Sequence, residues 1–146
     1  MVEFILTEQN KNRYIINDAL IINEAETIKK IHCSSMYILS IDLSNCINLE
    51  YLDCSFNEIS SIDLSNCINL QTFIGYHNNM SSINLSNCVN LKNLDCNNNN
   101  ISSIDLSNCV NLVRLDCSNN SISSIDLSSC VNPYEINCSN NSISSI

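Results

Sequence analysis

Ile41, Ile62, Ile83, Ile104, Ile125 and Ile146 each open the same phrase, so the chain repeats itself every 21 residues without an insertion or a deletion. A fixed period constrains a chain more than its composition does. One unit of this length cannot bury its own apolar edge, so the units must stack, and a stacked array is a solenoid. Weaker copies extend the frame toward the N-terminus. Ile28, Ile31, Cys33 and Ile38 correspond to Leu49, Leu52, Cys54 and Ile59, and Leu20, Ile22 and Ala25 to Ile41, Leu43 and Cys46. The array therefore covers residues 20–146, after a separate segment at 1–19.

Within one period, Tyr51-Leu52-Asp53-Cys54-Ser55 alternates strictly and predicts a short strand, with Leu52 and Cys54 inward and Tyr51, Asp53 and Ser55 outward. Such strands pair from coil to coil at about 4.8 Å. Asn57, Asn78, Asn99, Asn120 and Asn141 fall where the chain leaves each strand, and a buried amide there can satisfy backbone groups of adjacent turns. Ile62-Asp63-Leu64 also alternates, which predicts a short strand or an extended run on the opposite face and little or no helix. Ahead of the array, Val2–Leu6 and Arg13–Ile16 flank Gln9-Asn10-Lys11-Asn12 and predict a β-hairpin-like cap over the first coil. Asn23-Glu24-Ala25-Glu26 is open to a helical turn instead. At the other end the frame runs through Pro133 to Ile146 with no polar capping segment evident. That predicts an unpaired edge around Tyr134–Ser139, with Ile136, Cys138 and Ile143 half covered. The edge would either pair end to end with another copy or continue into a longer array.

The phrases LEYLDCSFNEI, LKNLDCNNNNI and NLVRLDCSNNSI resemble the leucine-rich repeat pattern L-x-x-L-x-L-x-x-N/C-x-L, with cysteine in the third apolar slot. The whole unit, L-x-x-L-x-C followed by I-x-x-I-D-L, is similar to a short 21-residue subclass found in bacteria, protists and large DNA viruses. The resemblance implies a right-handed coil with a parallel β-sheet on its concave face and short strands, extended or 3-10 segments on its convex face.

Ten cysteines would suggest disulfides in a small secreted chain, but their spacing argues otherwise. Cys33, Cys54, Cys96, Cys117 and Cys138 form one ladder, Cys46, Cys67, Cys88, Cys109 and Cys130 a second, and both occupy apolar slots of the repeat. Gly75 stands where the first ladder skips a coil, marking either a close approach or a lost cysteine. A free cysteine suits such a slot as a small buried hydrophobe, so reduced thiols and a cytoplasmic location are expected (host cytoplasm if the chain is viral). The N-terminus carries no basic leader segment and no apolar stretch reaches the roughly 20 residues of a membrane span.

Six Lys and Arg against fifteen Asp and Glu give a net charge of −9, which disfavours nucleic acid and anionic membrane as direct ligands. One glycine excludes phosphate-cradling loops, the two histidines stand apart from any nucleophile, and no C-x-x-C occurs. No enzyme, cofactor or metal site is therefore expected, and the recurring Asp42, Asp63, Asp105 and Asp126 read as a solvated convex face. The outward strand positions form three columns, the third running through Ser34, Ser55, Tyr76, Asn97, Ser118 and Ser139. Against their Asn, Ser and Asp background, Tyr51, Phe56, Ile74, Tyr76 and His77 stand out and fall in two adjacent coils. Aromatic side chains concentrate where partners bind, so these residues with Asp53 are the candidate partner site. Drift in a degenerate repeat is the competing explanation. The expected function is a non-catalytic module for protein–protein interaction through the concave face; the alternative is a secreted or surface-associated structural or adhesion repeat protein.

Overall fold

The computed structural model describes residues 3–22 and 25–144; Val2, Asn23, Glu24 and Ile146, which figure in the sequence expectations, lie outside them. Seven three-residue strands form one parallel sheet: β1 (Glu3–Ile5), β4 (Lys30–His32), β6 (Tyr51–Asp53), β8 (Thr72–Ile74), β10 (Asn93–Asp95), β11 (Arg114–Asp116) and β12 (Glu135–Asn137). From β4 onward each residue pairs with the one 21 positions later, so Lys30, Tyr51, Thr72, Asn93, Arg114 and Glu135 form one row. This is the leucine-rich repeat coil. On the opposite side β3 (Ala19–Leu20) pairs in parallel with β5 (Ser40–Ile41), and β7 (Ser61–Asp63) with β9 (Ser82–Asn84). Among the described residues the equivalents around Ile104 and Ile125 form no such ladder, and Ser124 makes an isolated bridge. Helix among the described residues amounts to α1 (Lys11–Tyr14) and a 3-10 turn at Ala25–Thr27.

The expected hairpin is corrected. Glu3–Ile5 does not pair with Arg13–Ile16; it joins the main sheet in parallel, with Glu3 opposite Lys30. The antiparallel pair is β2 (Ile15–Ile16) with β3. Asn17 and Asp18 both take positive φ (51° and 62°), the geometry that a two-residue hairpin turn demands and that Asn and Asp tolerate. Gln9-Asn10-Lys11-Asn12 instead leads into α1, where Asn10 Oδ1 accepts from the Thr7 N–H at 2.8 Å.

A single coil shows how the core is filled. Leu49, Leu52, Cys54, Ile59, Ile62, Leu64, Cys67 and Leu70 are all buried, and the same slots recur above and below. Where the chain leaves the strand, Asn99 Oδ1 accepts the Met80 N–H at 2.9 Å, and its Nδ2 donates to the carbonyls of Gly75, Cys96 and Asn97. Asn57, Asn78, Asn120 and Asn141 repeat this pattern, each holding its coil to the preceding one. A second ladder was not anticipated. Asn48, Asn69, Asn90 and Asn111 each donate to a carbonyl 22 residues earlier, at 2.8–3.0 Å. Among the described residues no buried side-chain nitrogen or oxygen lacks a partner.

The first ladder's missing cysteine has a packing cause. A Cβ on Gly75 would lie 2.4 Å from Cζ of Phe73 and 3.0 Å from Cε of Met80. Phe73 stands where the neighbouring coils have Leu52 and Leu94, and its ring fills the volume that Cys54 and Cys96 occupy there. Gly75 is a close approach, compensated by a larger neighbour.

Candidate functional site

The outward positions of the main sheet are built on hooked carboxylates. Asp53 Oδ1 accepts from the Ser55 N–H (3.0 Å) and hydroxyl (2.7 Å), and Asp116 Oδ1 from the same two groups of Ser118 (2.9 and 2.6 Å). Asp95 accepts from the N–H and amide of Asn97. Each hook orients one oxygen toward the turn. It also leaves two members of the expected third outward column without solvent exposure, because the Ser55 and Ser118 hydroxyls are tied to Asp53 and Asp116 and both serines are buried. The convex Asp42, Asp63, Asp105 and Asp126 make equivalent hooks to the N–H two residues on, so they are turn-forming as well as solvated. Those N–H groups hold Asp42, Asp63 and Asp105 below the usual carboxyl range, and the Ser128 side chain, then its N–H, does the same for Asp126.

The aromatic residues come together. Phe56 and His77 stack with ring centroids 4.8 Å apart and planes 12° apart, and Tyr76 meets both edge-on at 5.2 and 5.7 Å. Phe56 and His77 also share a backbone anomaly, φ near +50°, at a repeat position that Ser35, Asn98, Asn119 and Asn140 fill elsewhere. Asn suits the left-handed region; an aromatic residue there is strained. Tyr51 lies apart from the stack, against the His32 ring at 4.9 Å, and His32 Nε2 is 2.8 Å from Glu3 Oε1. Burial raises the Tyr51 hydroxyl above its usual range, and Asp53 and Tyr76 add to the rise. Ile74 is half-buried on the central strand, between Asp53 and Asp95.

Beside this cluster the sheet carries an open groove of about 350 Å³ over β8 to β12, and of the expected site residues only Ile74 lines it. Asp95, Asp116, Arg114 and Glu135 are its charged members, and sequence reasoning passed over them as background. Their signal was present in the repeated Leu-Asp-Cys phrase, whose Asp recurs on the same face. Burial pushes the Asp95 carboxyl up, and the charges of Asp116 and Asp53 push it further, against the downward pull of its hook. Arg114 is engaged with Glu135 at 3.3 Å, and the remaining ion pairs among the described residues join Lys11 to Glu8, Lys29 to Glu50 and His32 to Glu3. None reaches Asp53, Asp95 or Asp116. Among the described residues no group of three His, Cys, Asp or Glu side chains is placed to hold a metal, and no helix is long and apolar enough to cross a membrane.

No family model and no curated protein matches the chain. Solved structures similar to it include two leucine-rich repeat proteins. The functional domain of InlJ from Listeria monocytogenes, which includes a cysteine ladder, superposes with a TM-score of 0.79 and is 26% identical over 83% of this chain. TLR13, in a complex with ssRNA13, superposes at 0.66 over 76% of this chain with 22% identity, which speaks for the fold alone. The chain spans 27% and 18% of the lengths of those two.

Proposed function

From a leucine-rich repeat coil with this outer face, we propose a non-catalytic module that binds another protein through the concave side of its main sheet. The contact centres on Tyr51, Asp53, Phe56, Ile74, Tyr76 and His77. One observation carries the reading: Phe56 and His77 hold a strained backbone position that other coils give to Asn or Ser, and there they build a half-exposed ring stack with Tyr76. Strain retained without a packing reason is a mark of function. The test is to capture partners with the folded domain, identify one, and measure its affinity for alanine variants. Truncating Tyr51 or Tyr76 is expected to cost about 2 kcal/mol or more, while alanine at Asn97 changes little. Equal losses at all three positions would overturn the reading.

Two further expectations belong to it. We place the module in a reducing compartment, a reading supported by ten thiols on apolar slots; in one ladder the sulfurs of Cys117 and Cys138 lie 3.4 Å apart as free thiols. We also propose end-to-end self-association through the edge strand β12, whose Ile136 is exposed, as are Val131 and Tyr134 just before it.

A further inference from the structure

The main-sheet face combines features that together define the chemistry of an occupant. Asp53, Ile74, Asp95 and Asp116 lie in one in-register row across four adjacent strands. Carboxylates directly opposite each other, as Asp95 and Asp116 are, cost the sheet stability. None of the ion pairs among the described residues includes them: Arg114, which lines the same groove, is paired with Glu135, and the further partner of Asp116 is the neutral Asn137 amide, which donates to its Oδ2 at 3.1 Å. The groove opens over the Ile74, Asp95 and Asp116 part of this row. Asp53 stands beyond its lining, on the same strand as Tyr51, and Tyr76 lies two residues after Ile74 in the next coil. Aromatic faces beside uncompensated carboxylates suit a guanidinium or ammonium, which is attracted to both.

Spacing sharpens the fit. Three strand separations of about 4.8 Å carry the row about 14 Å from Asp53 to Asp116, which matches residues i and i+4 of an extended chain rising about 3.4 Å per residue. Side chains i, i+2 and i+4 of such a chain point to one face. They would meet Asp53 with Tyr51, then Ile74, then the Asp95–Asp116 pair.

We infer that the protein segment bound on this face is extended and runs across the strands with the pattern cation–x–apolar–x–cation. The inference rests on the reading of the main sheet as a partner face and specifies the partner's chemistry. The first cationic side chain lies over Tyr51 and Tyr76 beside Asp53, the apolar one covers Ile74, and the second cation sits between Asp95 and Asp116.

The probe is a fluorescein-labelled peptide, Gly-Ser-Arg-Thr-Leu-Thr-Arg-Ser-Gly, compared by anisotropy with the same peptide carrying citrulline, the uncharged isostere, at both arginine positions. Two double variants, Asp95→Asn with Asp116→Asn and Asp105→Asn with Asp126→Asn, change the net charge equally, one on this face and one on the opposite side. Both keep their hooks, because Asn137 and Asn84 already accept the same N–H in this chain. Citrulline is expected to weaken binding by about tenfold or more, as is the variant pair on this face, while the opposite pair stays within about twofold. Binding should also fall as salt is raised. Equal binding of the two peptides, or equal weakening by the two variants, would overturn the inference. Should the arginine peptide fail while alanine at Tyr51 and Tyr76 still disrupts an identified partner, the cationic pattern falls and the partner face stands. If those alanines have no effect on the partner either, both readings fall.

Discussion

Gly75 and Phe73 behave as one unit, and the repeat shows what each would be alone. Adding a Cβ at Gly75 drives it into the Phe73 ring, so Gly75→Cys, although it restores the ladder, is expected to destabilise by about 1–3 kcal/mol through overpacking. Phe73→Leu alone should also destabilise, by opening a cavity. The double variant recreates the arrangement of Leu52 with Cys54 and should recover most of both losses. Denaturant titration of the four proteins in a double-mutant cycle checks it; simple additivity would disprove the coupling. Phe56 and His77 make the opposite case. Replacing either by Asn, the residue that later coils use at φ near +50°, should raise stability by about 1 kcal/mol while weakening the partner contact. Thermal melts and partner affinity on the same variants separate the two effects.

At the scale of the element, the asparagine ladders make each coil depend on its neighbour. Asn99 is buried and serves one N–H and three carbonyls across two coils, so Asn99→Ala strands several backbone groups and should cost about 2–4 kcal/mol in denaturant unfolding. Strand β12 pairs with β11 on one side and lies at the edge of the main sheet, with all three residues exposed and Cys138 and Ile143 only half-buried. Amides at 134–144 are therefore expected to exchange with solvent faster than those at 93–116 at low concentration. They should gain protection as concentration rises and light scattering reports association. A monomer with equal protection at both coils would disprove the edge contact.

For the whole molecule, acid and thiol chemistry follow from where the groups sit. Asp42, Asp63, Asp105 and Asp126 titrate below the ordinary value of 3.8 in the folded chain, so the stability they lend is present above that pH and is lost as pH falls through their folded pKa values. Asp95 has the opposite sign. Its folded pKa is raised by burial and by Asp116 and Asp53, so its contribution is greatest in acid and declines as pH climbs through that raised value. Asp95→Asn should therefore raise the melting temperature at neutral pH and lose that advantage at or below about pH 4. A benefit that does not vary with pH would contradict this assignment. Burial also raises the ladder thiols, Cys46 and Cys88 to about 11 and Cys67 and Cys109 to about 12, which leaves little thiolate at neutral pH. An alkylating reagent should reach half-buried Cys138 first and the other nine only on unfolding, with ten thiols counted in denaturant. Fewer than ten would reject free thiols.

The architecture was legible in the sequence because a solenoid's contacts are local in frame. Once the period is known, residue i meets residue i+21, and the strand row, the core slots, both cysteine ladders and the first asparagine ladder follow by counting. The N-terminal segment lies outside the period, so its partners were not countable; strand β1 pairs by three-dimensional proximity, and the turn at Asn17-Asp18 sets a different hairpin. Tertiary structure alone decided which outward residues cooperate. Ring stacking of Phe56 with His77 depends on a backbone conformation that letters do not display, and the burial of Ser55 and Ser118 accompanies hydrogen bonds to Asp53 and Asp116. The groove arises from the relative heights of side chains on four strands, including the aliphatic Ile74 in line with the carboxylates. Periodicity specifies which residues become neighbours; the side-chain geometry that shapes a binding surface forms only when those neighbours meet.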